Sequence, residues 1–470
     1  MEWLQQVNWF VLAPELIIFS FAIIVLVGEL FLSANAKRSL GVVTLIGLIA
    51  SLASVAGIWN IETTQFNGMF SVDLTANILK AILLVTTSLM VLGALKSRFS
   101  MGEGEFFSLI LFSVLGTMFM ASSADLIMLF IALELTVLPA YVLTAGRRSA
   151  RSSEAALKYF LLGIVASVIL LYGMTLLFGL TGQTNFIAIA KELAKQKIDA
   201  TLAVAMLMII VGLGFKVAAV PFHFWAPDVY EGSPVPVATY LAAGPKAGGF
   251  AAIIHLFPVA LASVKPAWAM VFAALAVLSM TVGNFVALAQ NQIRRLLGYS
   301  AIAHTGYLLI GLAVADQIGY SSMIFYFFVY SLAALGAFLV VLATTERGIG
   351  ESVTDFAGLH KRAPMVAFAM AVFLFSLVGL PPLAGFMGKL FLFSAAVKSN
   401  LIWLAVVAVL NSVVSFGYYV TVIRQMYLAP PVTDKAMPVS APLYLSIMLI
   451  VAAIIVLGVY PTAFLSIINL

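Results

Sequence analysis

The sequence predicts an all-α polytopic membrane protein of about fourteen transmembrane helices, with two inverted five-helix repeats and broken helices seven and twelve. Three observations predict it. The 470 residues are 63% hydrophobic and only 9% charged, against roughly 45–50% apolar and about 25% charged in soluble domains. Apolar runs of roughly twenty residues, the length of one crossing, recur along the whole chain. Two of those runs are interrupted by proline and yet continue apolar.

The runs, bounded by charges and turn residues, fall at 9–32, 40–60, 73–95, 106–122, 125–146, 156–180, 201–220, 235–258, 266–289, 297–315, 321–343, 364–380, 401–425 and 441–468. Ala34-Asn35-Ala36 imitates a signal-peptidase site. The leading segment, however, has Glu2 and no basic residue, and its apolar run contains Glu15 and Glu29, so a retained first span is expected. After the seventh run, Pro221-Phe222-His223-Phe224-Trp225-Ala226-Pro227-Asp228 cannot continue as regular helix. After the twelfth, Pro381-Pro382 precedes a second apolar piece, Leu383 to Val397. Proline lacks the backbone donor and clashes one turn back, so both helices are expected to break.

Loops after odd-numbered spans carry fourteen Lys and Arg, against five after even-numbered spans. The positive-inside rule therefore puts the odd side in the cytoplasm and both termini opposite. Segment 183–198, with Phe186, Ile187, Ile189 and Leu193 among three lysines, reads as a short interfacial amphipathic helix. Pro221 and Pro381 lie 160 residues apart, each after the third span of a five-span block. Five is odd, so the second block must be inverted, as in transporters that place ion sites at paired helix breaks. The expected division is an N-terminal three-helix segment (1–104), a first five-helix repeat (105–258), a second, inverted repeat (259–428) and a last helix (429–470).

Several chemistries are excluded. With no cysteine, disulfides, thiolate metal sites and iron–sulfur ligation are absent. His223, His255, His304 and His360 show no ligand spacing, so neither haem nor metal is expected. Gly212-Leu213-Gly214 has Val217 where a nucleotide-binding fingerprint needs its third glycine, so no nucleotide is expected. The net charge of +5 reads as loop residues at a membrane face and not as nucleic-acid binding.

The charges left inside spans are the informative ones: Lys80, Lys158, Lys216, Lys246 and Lys389, with Glu134 the most central acid. Each costs about 2.5–3.5 kcal/mol at the bilayer centre on insertion scales, so several without a role or partner would be a heavy penalty. Glu134 reads as a proton-binding carboxylate paired with a cation across the bundle; the alternative is a static ion pair. Lys216, five residues before Pro221, faces a break where carbonyls and water can solvate it, against a snorkelling helix-end lysine. Lys246 follows Pro245 among Gly244, Gly248 and Gly249, and Lys389 stands two turns beyond Pro381-Pro382. Lys158, four residues after Glu154, is as readily a surface pair as a relay member. His223 and His304 are candidate shuttles or hydrogen-bonded structural histidines. Lys80, Glu15 and Glu29 are expected to contact neighbouring subunits or lipid headgroups, and His255 and His360 receive no role.

From Gly212-Leu213-Gly214-Phe215-Lys216 through Val220-Pro221-Phe222-His223 to Tyr230-Glu231-Gly232, the chain resembles the antiporter-like proton-translocating subunits of respiratory complex I, NADH:quinone oxidoreductase. Gly244-Pro245-Lys246-Ala247-Gly248, Arg294-Arg295-Leu296-Leu297-Gly298-Tyr299-Ser300, Ala303-His304-Thr305-Gly306-Tyr307 and Gly379-Leu380-Pro381-Pro382 through Lys389 extend the match from span three onward. Asp228-Val229-Tyr230-Glu231-Gly232, Lys389 in place of a glutamate, and the lack of a long lateral helix point to the N-type over the L- and M-type relatives.

The resemblance implies roles. Glu134 and Lys216 match the ion pair of helices five and seven, Lys246 the central relay on helix eight, Lys389 the exit-side residue on helix twelve, and Lys158 a helix-six lysine. It also implies partners: M-type and K/J/A-type membrane neighbours, with quinone, flavin and iron–sulfur clusters in other subunits and none in this chain. A bacterial plasma membrane, or its thylakoid or inner mitochondrial equivalent, is the expected location. Two other classes stay open, a multi-subunit cation/proton antiporter subunit and a non-pumping membrane scaffold.

Overall fold

In a computed structural model the described residues are 8–195, 199–431 and 435–467. The helices, in chain order, are α1 (Ala13–Phe31), α2 (Ser39–Gly57), α3 (Leu74–Ala94), α4 (Glu103–Ala121), α5 (Leu126–Thr144), α6 (Ala150–Thr181), α7 (Phe186–Leu193), α8 (Ala200–Lys216), α9 (Trp225–Gly232) and α10 (Val235–His255). They continue as α11 (Lys265–Leu288), α12 (Ile293–Val314), α13 (Gln317–Thr345), α14 (Pro364–Val378), α15 (Ala384–Lys398), α16 (Ile402–Leu428) and α17 (Ala441–Val459).

Among the described residues, twelve helices are long and apolar enough to cross a membrane, and α8 and α14 are shorter apolar helices. At 17 and 15 residues, these two rise about 25 and 22 Å at 1.5 Å per residue, short of the ~30 Å hydrocarbon layer. They are the first halves of the two proline-interrupted spans. The chain is an integral, multi-pass membrane protein of all-α architecture.

The breaks fall where proline placed them. α8 stops at Lys216, Ala218 takes a left-handed conformation (φ 58°), and helix resumes as α9 at Trp225. α14 stops at Val378, Gly379 makes the left-handed turn (φ 93°) that a glycine adopts freely, and α15 resumes at Ala384. Val220–Pro221 and Pro381–Pro382 are both cis.

Other boundaries shift for identifiable reasons. α6 begins at Ala150 because Ser149 caps it by accepting from the Ser152 amide, so Glu154 and Lys158 sit on helix. α12 begins at Ile293, which moves Arg294 and Arg295 from the loop into its first turn. α10 ends in a π turn, Leu256–Ala260, where Pro258 has no amide to donate. The amphipathic segment forms α7, with Phe186, Ile189 and Leu193 buried and Asn185 capping it; residues 196–198 of that segment lie outside the described residues. A two-stranded hairpin, which no span pattern announced, pairs Thr63–Gln65 with Phe70–Val72 in antiparallel register (Gln65 opposite Phe70). Its three-residue strands are too short for alternation to be visible in sequence.

Two compact units emerge: Met1–Val91, Arg98–Val217 and Gly244–Trp268 in one, Leu92–Ser97, Ala218–Ala243 and Ala269–Leu470 in the other. In the first, α1 packs on α2 and α4, α4 on α5, and α6 on α8. Glycines let these backbones touch. A Cβ on Gly116 of α4 would stand 2.5 Å from the Thr136 amide of α5, and one on Gly212 of α8 would stand 2.4 Å from Leu170 Cβ of α6. In the second unit, α13 runs through the middle against α12, α14, α15 and α17, and α12 and α13 are almost wholly buried.

The α4–α5 contact is backbone to backbone two residues from Glu134, so it cannot relax by a rotamer change. Gly116→Ala is expected to lower stability by ~1–3 kcal/mol, read as a drop in the thermal unfolding midpoint in detergent. Gly179→Ala is the control: its added methyl meets nothing within 4 Å, and its midpoint should hold or rise slightly.

Candidate functional site: buried charges at the helix breaks

In the first unit, Glu134 lies midway along α5 and accepts a 2.6 Å hydrogen bond from Ser167 Oγ of α6. Lys216 is the last residue of α8, 6% exposed, and its Nζ has no hydrogen-bond partner. Glu134 acts on it through the Coulomb field and not through a direct bond. The ammonium also lies 5.5 Å from the Phe215 ring centroid. A charge placed at a helix end beside an interrupted ladder is solvable by freed carbonyls or by water. Lys246 sits on α10 at 1% exposure. One turn on, α10 packs against the end of α8, where a Cβ at Gly249 would stand 2.7 Å from Val217 Cγ1 and 3.7 Å from Lys216 Cβ. Lys158 pairs with Glu154 at 2.8 Å on the exposed face of α6, its side chain 46% exposed.

In the second unit, Lys389 uses the second break directly. Its Nζ donates to the Val378 carbonyl, freed where α14 ends, and to Ser412 Oγ of α16, both at 2.7 Å. Ser412 donates to the same carbonyl at 2.9 Å. The ammonium stands 4.5 Å from the centre of the Tyr307 ring, a cation–π contact. A cavity of about 370 Å³, lined by Gly379, Leu380, Phe386, Val413 and Phe416, reaches Lys389 and Ser412 between α15 and α16.

His304 belongs to a chain of hydroxyls. Nδ1 pairs with Tyr326 Oη at 2.7 Å and Nε2 with Tyr419 Oη at 3.2 Å, and Tyr419 in turn bonds Ser300 Oγ. Its ring lies 5.6 Å from that of Tyr307, whose hydroxyl accepts from Asn284 at 3.3 Å. Asn284 also donates to the Asn411 carbonyl and accepts from Tyr418. Lys389 and His304 thus share one polar cluster. His223, in the first break, is 7% exposed and leaves Nδ1 without a partner, its ring stacked on Phe224.

Four residues behave differently from expectation. Glu15 and Lys80 do not face lipid or neighbours: they pair with each other at 2.6 Å, at 2% and 0% exposure, because α1 and α3 bring both inside the first unit. Glu29 pairs with Lys37 at 2.6 Å and accepts from the Gly104 amide at 2.7 Å. His255, left without a role, faces Asp73 at 3.5 Å. Among the described residues no three His, Asp or Glu side chains converge to ligate a metal.

Residues 123–415 match the family described as NADH:quinone oxidoreductase/Mrp antiporter, TM. The NADH-quinone oxidoreductase subunit N of Trichlorobacter lovleyi is 40% identical, over 98% of this chain and 96% of its own length. The chain belongs to the subunit N family. A chain of respiratory complex I from Thermus thermophilus superposes with a TM-score of 0.83 at 32% identity, covering 96% of this chain and 98% of that one. A chain of an Mrp complex from a Dietzia species has a TM-score of 0.86 at 21% identity, covering 97% and 96%, which is a likeness of fold. The segment shared by the subunit N and Mrp family holds Glu134, Lys216, Lys246, His304 and Lys389; Glu15 and Lys80 lie before it.

Sequence reasoning missed the hydroxyl partners: Ser167, Ser412, Tyr307, Tyr326 and Tyr419. A serine or tyrosine in an apolar run carries no penalty large enough to mark it, unlike a lysine. The Asp73–His255 contact was equally invisible, since 182 residues separate the two. Asp73 sits just outside α3, taking the Ala76 amide on Oδ1 at 2.8 Å and Ser71 Oγ on Oδ2 at 3.1 Å. Burial pushes its pKa up, but His255 and these hydrogen bonds outweigh it and hold the carboxyl well below the usual range. A depressed folded-state pKa stabilises fully above the unfolded value, near ~3.9, and that stability is lost as pH falls through the folded value. Asp73→Asn keeps a capping side chain and removes the charge. It should lower the unfolding midpoint at neutral pH by the equivalent of ~0.3–1 kcal/mol, with the gap to the unsubstituted protein narrowing once pH drops below ~3.9.

Proposed function

We propose that this chain is a proton-translocating, antiporter-like membrane subunit of a respiratory NADH:quinone oxidoreductase. Its protons move from the cytoplasmic side outward, coupled to quinone reduction in partner subunits. The observation that carries the reading is the Glu134–Lys216 arrangement: a buried ammonium without a hydrogen bond, held by a carboxylate at Coulombic range, beside a broken helix. An ammonium in a low-dielectric site keeps its proton while a carboxylate is near and releases it as the carboxylate withdraws. A signal from the quinone-reducing partner shifts Glu134. Lys216 then passes its proton toward Lys246, and Lys389 discharges it to the opposite face. Ser167 holds Glu134 in one of its two positions. Carbonyl Val378 and Ser412 receive the Lys389 ammonium, and His304 with its tyrosines carries protons within that cluster. His223 and Lys158 are auxiliary members.

Electron chemistry, with flavin, iron–sulfur clusters and quinone, belongs to partner subunits. The assembly includes M-type and K/J/A-type membrane neighbours in a bacterial plasma membrane, with both termini of this chain on the non-cytoplasmic side. The fourteen-to-five loop bias of basic residues supports that orientation. The 40% identity to a subunit N relative, against 21% to the Mrp chain, favours this reading over a free-standing cation/proton antiporter.

Positioned proton-transfer groups contribute ~10²–10⁴-fold. Glu134→Gln, Lys216→Ala, Lys246→Ala or Lys389→Ala in the assembled enzyme should therefore cut the coupled proton-pumping rate by roughly tenfold or more. Protons moved per electron should fall with it, measured by dye quenching in proteoliposomes driven with NADH and quinone. Lys216→Arg keeps the charge but cannot release a proton, so it should impair pumping as Lys216→Ala does. Full pumping per electron in these variants overturns the scheme; sodium-driven proton exchange without NADH would favour the antiporter class.

A further inference from the structure

The first three helices contribute nothing to the proposed relay, yet they enclose the most completely buried ion pair among those described, Glu15–Lys80. Replacing a buried pair by packed apolar side chains is often neutral or stabilising, so packing gives no reason for charge there. Nor is the pair sealed. One contact joins Lys80 Nζ to Glu15 Oε1, while the rest of the ammonium and Glu15 Oε2 meet no hydrogen-bond partner.

The same is true along a line. Asp73, just before α3, and Asn77, Lys80, Thr87 and Ser88 on it fall within an arc of about 100° at 3.6 residues per turn, and from Asp73 to Ser88 the rise is about 22 Å. Asn77 Oδ1, Thr87 Oγ1 and Ser88 Oγ are buried without partners. Unsatisfied buried polar atoms are costly, and a row of them along one face is what ordered water bridges. The line reaches the surface at Asp73, whose side chain is 30% exposed.

We propose that Glu15–Lys80 is a second proton-binding centre, reached by water along the polar face of α3 from Asp73. A hydronium on that face gives its proton to Glu15 Oε2: an O–H bond forms on the carboxylate as one breaks on the hydronium, which leaves as water. Lys80 keeps all three protons, and the site gains one positive charge. Lys80 can stay charged because the Phe70 ring, set by the hairpin 5.0 Å from Nζ, is a partner that does not titrate. The other charges bearing on the pair are few. α2 has no titratable residue from Ser39 to Gly57, and α4 offers Glu103 and Glu105 only in its first turn. Glu29, Lys37 and that turn lie at the far end of α1, about 20 Å along the helix from Glu15, and His255 faces Asp73 at the open end.

This centre shares no residue with the relay and goes beyond it, so the two readings fail separately. The test is infrared difference spectroscopy of the assembled complex in its membrane, between neutral and acidic pH. A carboxylic-acid C=O band that shifts in D2O is expected, lost in Glu15→Gln and in Glu15→Gln/Lys80→Met, and retained in Glu134→Gln. The double variant removes both charges together and so remains informative should the single one fail to assemble. Asn77→Leu plugs the polar face and should slow the D2O shift several-fold while leaving the band. Acid bands identical in Glu15→Gln and the unsubstituted complex would overturn the centre, and unchanged exchange in Asn77→Leu would overturn the route.

Discussion

An ammonium ion inside a slab of hydrocarbon must find a counter-charge, a free carbonyl, an aromatic face or water, and an unbroken helix offers none of these from its backbone. That constraint explains why the two proline breaks exist where they do. By ending α8 at Lys216 and α14 at Val378, the prolines interrupt the hydrogen-bond ladder beside the charges that need it. The second break shows the principle fully worked out: Val378 has no helical partner for its carbonyl, and Lys389 and Ser412 both donate to it. At the first break the ammonium of Lys216 is left without such a bond, and Glu134 supplies field alone. The two breaks therefore satisfy their ammonium ions differently, by direct hydrogen bonds at Lys389 and without one at Lys216.

The scaffold around these charges is arranged for precision. Glycines at α4–α5, α6–α8 and the α8–α10 crossing bring backbones into contact, so the helices bearing Glu134, Lys216 and Lys246 have little room to drift. Close backbone approach through small residues is how membrane helices pack when no water-driven force is available. In the second unit α12 and α13 are buried on nearly every side, and their inward residues are hydroxyl-bearing: Ser300, Tyr307 and Tyr326 around His304. A buried polar network of this kind is stable only when its members satisfy one another, and here hydroxyls do so while remaining able to exchange donor and acceptor roles.

The N-terminal helices follow the same rule by a different device. Glu15 and Lys80 supply each other's counter-charge, and a short hairpin presents an aromatic ring to the ammonium. Their burial corrects the expectation that isolated charges near the chain's outer spans face lipid. Taken one at a time, the two charges show no partner in the sequence. Sixty-five residues of sequence separate the two, and only the packing of α1 and α3 reveals the pair.

Much of the fold was legible from composition and spacing. Twenty-residue apolar runs must become helices in lipid because no other local structure satisfies its own backbone, and proline forbids the ladder wherever it falls. Lysine or glutamate within such a run is legible too, because its penalty is large enough to stand out from an apolar background. For that reason Glu134, Lys216, Lys246 and Lys389 stand out as candidates in the sequence itself. What tertiary structure alone decided was partnership: that Ser167 donates to Glu134, that Ser412 and a freed carbonyl receive Lys389, that tyrosines from three helices surround His304, and that Asp73 meets His255. Serine and tyrosine cost little in an apolar run, and contacts between distant helices leave no period in the sequence, so the wiring between the charges is a property of packing.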